Sequence, residues 1–90
     1  MQDNTVHQGG CLCGAVRFEA HGMPKRVGAC HCRYCQLRSG SAFGVSVYFP
    51  EDDVRVLQGE LKSYQYQTET GNTTVNQFCT ECGSTVLWKV

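Results

Sequence analysis

The sequence has no apolar run of membrane length, and its start, Met1-Gln2-Asp3-Asn4-Thr5, is polar where a secretory leader would be hydrophobic. These two absences lead to the expectation of a cytoplasmic protein with no membrane partner. Charge of one sign is also lacking. Eight Lys and Arg stand against eight Asp and Glu, for a formal charge of zero, so the basic footprint of a nucleic-acid binder is not there and no nucleic acid is expected as a partner. No stretch keeps a helical hydrophobic period for three turns, and no internal repeat or low-complexity linker interrupts the 90 residues. They read as one small domain over residues 1–90, at a size where a single hydrophobic core is barely sufficient and staples are common.

What the chain does have is sulfur. Seven cysteines in 90 residues are too many for chance packing. An odd number of them does not make a simple disulfide framework, so the reading is a reduced protein whose cysteines hold metal. Cys30-His31-Cys32-Arg33-Tyr34-Cys35 carries three thiols. In an extended segment Cys30 and Cys32 point one way and His31 the other, and a tight turn over Cys32-x-x-Cys35 returns the third sulfur beside them. Three thiolates suit zinc but leave its tetrahedron one donor short, the arrangement that distinguishes catalytic from structural zinc. Seven thiolates around two zinc ions would make the loaded protein about three charges more negative than its formula.

The rest of the chain reads as short strands between glycine-rich turns. Cys11-Leu12-Cys13-Gly14 is expected to be extended, with both thiols on one side. In Ala15 to His21, Val16, Phe18 and Ala20 alternate with Arg17, Glu19 and His21, which describes a half-buried strand. Gln36-Leu37-Arg38 continues a helix of one to two turns that stops at Ser39-Gly40. Ala42 to Phe49 is a strand with Phe43, Val45, Val47 and Phe49 on one face, followed by an acidic loop at Glu51-Asp52-Asp53. Val54 to Gln58, Leu61 to Gln67, Thr73 to Phe78 and Thr85 to Val90 complete the strands, with a hairpin turn at Glu69-Thr70-Gly71-Asn72. Val27-Gly28-Ala29 is read only as a lead into the central cluster. The architecture expected is mainly β and antiparallel, with metal knuckles at strand ends.

The cysteines group as Cys11/Cys13, Cys30/Cys32/Cys35 and Cys79/Cys82. Cys79-Thr80-Glu81-Cys82-Gly83 is a knuckle whose backbone N–H groups can turn toward its sulfurs. Its partner is either Cys11/Cys13, which keeps the trio together, or Cys32/Cys35 in a zinc-ribbon manner. Spacing alone leaves both open.

Four stretches in order, Gly10-Cys11-Leu12-Cys13-Gly14-Ala15-Val16-Arg17-Phe18, Cys30 to Cys35, Ser39-Gly40-Ser41-Ala42-Phe43, and Phe78-Cys79-Thr80-Glu81-Cys82-Gly83-Ser84, resemble the glutathione-dependent formaldehyde-activating enzyme family, a relative of the centromere protein V group. The resemblance runs from Gly9 to about Leu87. It implies an Mss4-like antiparallel β-sandwich, a structural zinc on Cys11, Cys13, Cys79 and Cys82, and a catalytic zinc on Cys30, Cys32 and Cys35. At its open position the second zinc would take glutathione or another small thiol for addition to formaldehyde or a related aldehyde, as in a carbon–sulfur lyase giving S-hydroxymethylglutathione. Family members usually continue for further strands, whereas this sequence stops eight residues after Cys82. The expectation is a domain short at its C-terminus, with a homodimer as one means of covering the edge.

A three-thiolate zinc polarises water weakly but deprotonates a thiol outright, so thiol activation is the chemistry that fits this donor set. The alkoxide that develops on the aldehyde needs a donor, and His31, Arg33, Tyr34 and Arg38 are the candidates near the trio. His7 and His21 are isolated and receive no role. Two other classes compete with the enzyme reading. One is a zinc-stapled binding module without catalysis. The other is a Cys32/Cys35 redox dithiol, which no surrounding βαβ pattern supports.

Overall fold

The structure, a computed structural model, describes residues 4–90. Met1, Gln2 and Asp3, which open the polar start, lie outside the described residues. In chain order the elements are β1 (Val6–Gly10), β2 (Arg17–His21), β3 (Arg26–Cys30), α1 (Arg33–Ser39), β4 (Gly44–Tyr48), a 3-10 turn (Glu51–Asp53), β5 (Val54–Gln58), β6 (Leu61–Gln67), β7 (Thr73–Cys79) and β8 (Thr85–Lys89). The protein is mainly β with antiparallel sheets, as the alternating patterns predict. Among the described residues no helix is long and apolar enough to cross a membrane.

Two strands lie where the sequence reading placed none. β1 and β3 carry Gly9, Gly10 and Gly28, residues of poor strand propensity, and pairing rather than propensity makes them strands. β3 lies antiparallel to β4 from Arg26↔Tyr48 through Ala29↔Val45 to Cys30↔Gly44. The strands β1, β2 and β5 form a sheet in the order β1-β2-β5. A second correction concerns Cys11 to Gly14. This stretch is a turn rather than an extended segment, because the Gly14 N–H donates to the Cys11 carbonyl at 3.3 Å and the Cys11 N–H to the Val16 carbonyl at 3.2 Å.

The chain divides into two compact units. One comprises Gly9–Phe18 and Val56–Val90. Here β7 is the middle strand of an antiparallel sheet, paired to β6 from Leu61↔Cys79 to Gln67↔Thr73 and to β8 through Asn76↔Trp88. Its core is Cys11, Val16 and Cys79, packed round by Ala15, Leu61, Cys82 and Val86. Full burial of a side chain such as Val16 is worth about 1.5–3 kcal/mol. In so small an apolar set the two cysteines carry much of the packing.

The other unit takes the described residues up to Gln8 together with Glu19–Arg55. It contains the β3–β4 hairpin and α1, which starts at an N-cap on Cys32 and stops at Gly40, whose φ of 67° is the left-handed conformation of a helix C-cap. β4 is buried at Gly44 and Ser46, and at Gly44 the missing side chain lets α1 approach. Val45 and Val47 point the other way and are 62% and 50% exposed, as is Val27 opposite Val47 at 60%. The apolar stripe read from the sequence is therefore the outer face of this hairpin.

Candidate metal centres

Two groups of sulfur emerge from this framework. Cys11, Cys13, Cys79 and Cys82 form one, and Cys30, Cys32 and Cys35 the other, with the sulfurs of each group all within 4.8 Å of one another. The zinc-ribbon pairing of Cys79/Cys82 with Cys32/Cys35, left open by spacing, is not the arrangement found. Each group lies wholly inside one of the two compact units.

In the group of four, β7 delivers Cys79 at its last residue, and the chain turns through Gly83, at φ 76°. That turn directs the Glu81 and Cys82 N–H groups at the Cys79 sulfur, at 3.3 and 3.5 Å. The Val16 N–H donates to the Cys11 sulfur at 3.2 Å. Zinc–sulfur bonds of about 2.3 Å at tetrahedral angles hold sulfurs roughly 3.8 Å apart. The Cys11–Cys13 and Cys13–Cys79 distances of 3.6 and 3.8 Å meet that requirement. Cys11 and Cys79 are 6% and 1% exposed, so the site is closed on that side.

Electrostatics prepares the same group for a cation. The Ser84 hydroxyl, 3.2 Å from the Cys82 sulfur, and the Ser84 N–H pull the Cys82 thiol down to about 5. The Val16 N–H lowers Cys11. Cys13 has the Ala15 N–H pulling it down, yet its contact with Cys11 and its burial carry it up to about 11. Four sulfurs with uneven claims on their protons are a soft donor set that one divalent ion can satisfy together.

The group of three is built at the junction of β3 and α1. Cys30 ends the strand, Cys32 caps the helix with extended backbone at φ −66° and ψ 161°, and Cys35 lies in its first turn. The Cys35 N–H donates to the Cys32 sulfur at 3.4 Å, and the two sulfurs are 3.2 Å apart. The Cys35 N–H and thiol pull Cys32 down to about 7, while burial and then the Cys32 thiol push Cys35 up to about 11. Cys30 and Cys32 are exposed. Among the described residues no fourth Cys, His, Asp or Glu joins this group. Both groups are thiol sets that could hold a metal ion, one offering four sulfurs and the other three.

The candidate donors around the trio fall in different places. The His31 ring packs on Phe43 at 5.3 Å between centroids. Arg33 opens α1 at an exposed position, Tyr34 is half-buried, and Arg38 is half-buried in the last turn of α1. The His7 Nε2 meets the Gly22 carbonyl at 3.0 Å and its ring meets Phe49. His21 pairs with Glu19 at 2.9 Å. Two participants escaped the sequence reading. Ser84 was visible only as the residue after a cysteine-glycine step. Gly44 carried a usable signal, since a glycine inside an alternating apolar strand marks a close approach of another group.

With this geometry in hand, comparison with known protein families adds one finding: the family model described as glutathione-dependent formaldehyde-activating enzyme matches residues 6–90.

Proposed function

Because the chain belongs to the glutathione-dependent formaldehyde-activating enzyme family, we propose that Cys30, Cys32 and Cys35 form its reacting centre and that Cys11, Cys13, Cys79 and Cys82 hold a structural zinc. The reaction proposed is addition of the glutathione thiol across the formaldehyde carbonyl. A carbon–sulfur bond forms, the carbonyl π bond breaks, and the proton released by sulfur is balanced by the one gained on oxygen, giving S-hydroxymethylglutathione. In the reverse direction this is carbon–sulfur lyase chemistry. A second zinc, held by Cys30, Cys32 and Cys35, would supply the charge that keeps an incoming thiol ionised at neutral pH.

The observation that carries this reading is the contrast between the two sulfur groups: four donors with two of them buried, against three donors with two of them exposed. The chain's own residues contribute access and orientation. Exposure at Cys30 and Cys32 admits a small thiol, and the Cys35 N–H fixes the Cys32 sulfur. His31, Arg33, Tyr34 and Arg38 are the groups within reach of the trio in sequence for meeting the charge that develops on oxygen.

The test is the rate of S-hydroxymethylglutathione formation from glutathione and formaldehyde with zinc-loaded protein, followed by exchange-sensitive NMR. Acceleration over the spontaneous reaction, lost in Cys32→Ser with the four-cysteine zinc retained, is the expected result. No acceleration overturns the catalytic reading. That outcome would favour the second reading, a zinc-stapled interaction module, for which the exposed Val27, Val45 and Val47 face is the supporting observation.

A further inference from the structure

We propose that Arg38 is a substrate-positioning residue whose guanidinium, berthed over Gly44 beside the three-cysteine group, receives a carboxylate of the incoming thiol. This rests on the reading of Cys30, Cys32 and Cys35 as the thiol-binding centre.

Cys35 and Arg38 are three residues apart in α1 and so lie one above the other on the same face. That face meets β4 at Gly44, which is buried and stands opposite Cys30 in the β3–β4 register. A Cβ at position 44 would lie 2.5 Å from Arg38 Nη2 and 3.3 Å from Cys35 Cβ. The guanidinium therefore occupies the space that any side chain at position 44 would take, and two members of the trio, Cys30 across the strands and Cys35 on the helix, flank that space.

Half-burial in such a berth makes Arg38 different from Arg33, which is exposed at the start of the helix. A guanidinium fixed by packing loses less freedom when a ligand arrives, and its planar fork takes a carboxylate through two parallel bonds. Glutathione has two carboxylates as well as its thiol. The thiol goes to the sulfur group, and the cation beside it selects thiols that carry an anionic end.

A purely electrostatic role, damping the charge of three thiolates, makes a different prediction, because it would weaken metal binding and act equally on every thiol. The experiment uses cobalt-substituted full-length protein, with thiol binding read from the change in cobalt absorption, and glutathione and 2-mercaptoethanol as the two probes. Arg38→Ala is expected to weaken glutathione by about tenfold or more, to change 2-mercaptoethanol by less than roughly twofold, and to leave metal content unaltered. Gly44→Ala, which keeps Arg38 and every cysteine but fills the berth, is expected to reproduce the loss. Arg38→Lys restores only part of it, since an ammonium lacks the fork.

Equal losses for both thiols, or loss of metal with unchanged discrimination, overturn the positioning role. Equal affinity of the unaltered protein for both thiols overturns it while leaving the thiol site standing. Failure of the unaltered protein to bind either thiol overturns the thiol site and this inference together.

Discussion

Ser84 shows how one hydroxyl can serve two partners in a candidate metal centre. Its Oγ accepts the Leu12 N–H at 3.3 Å and lies 3.2 Å from the Cys82 sulfur, joining the first cysteine turn to the last. Through that contact and its backbone N–H it holds the Cys82 thiol at about 5, against 9.0 for an ordinary thiol. The sign of the pH effect follows. A depressed thiol makes its full contribution above the ordinary value and loses it as pH falls through about 5, so on the Cys82 sulfur a proton competes with a metal ion only in acid. In Ser84→Ala the Cys82 thiol returns toward its ordinary value, and zinc release shifts to higher pH by more than about one unit. A chromogenic chelator read across a pH series checks this, and coincident release curves for the two proteins would count against it. Spacing could not name the Ser84 contacts, because Leu12 is distant in sequence, and at Gly44 it could mark a close approach without naming Arg38 as the group that approaches.

At the scale of elements, α1 is the part that the sequence described best. Cys32 begins it and Gly40 ends it where the punctuation placed its limits. Gly40 has no heavy atom within 4 Å of the position its Cβ would take, so the cost of replacing it is conformational alone. Gly40→Ala is expected to lose about 1 kcal/mol, and Gly40→Asn less, in urea denaturation of the zinc-loaded protein. β4 was legible as an alternating strand, but which face would be buried was not. Alternation shows that Phe43, Val45 and Val47 share a side. It does not say that the helix will choose the opposite one, where Gly44 permits a closer approach. With their side chains half or more exposed, Val45→Thr and Val47→Thr should each change stability by no more than about 0.5 kcal/mol. A loss of several kcal/mol in the same denaturation experiment would show that another surface covers them. β1 and β3 were illegible for the converse reason: their glycines obscure the strand pattern, and only pairing reveals them.

For the molecule as a whole, cysteine order told more than hydrophobic pattern. The motifs fixed which residues could bind metal, while the assignment of pairs to groups required the fold that brings Cys11 and Cys13 to Cys79 and Cys82. With Cys11 and Cys79 forming most of the small core around Val16, a metal ion held by these cysteines would not be separable from the packing of that unit. Chelation is therefore expected to proceed in two steps. Zinc on the exposed trio leaves first with little change in far-ultraviolet circular dichroism, and removal of the second ion collapses the β6–β7–β8 signal. Release of both ions at one rate, or an unchanged spectrum after full removal, would contradict this division. The two centres also differ in when they can be completed. Cys30, Cys32 and Cys35 lie within six residues of one another, so a ribosome supplies all three candidate ligands almost together. The other centre waits for Cys79 and Cys82, and until they emerge Cys11 and Cys13 are an incomplete claw open to any thiophilic ion in the cell.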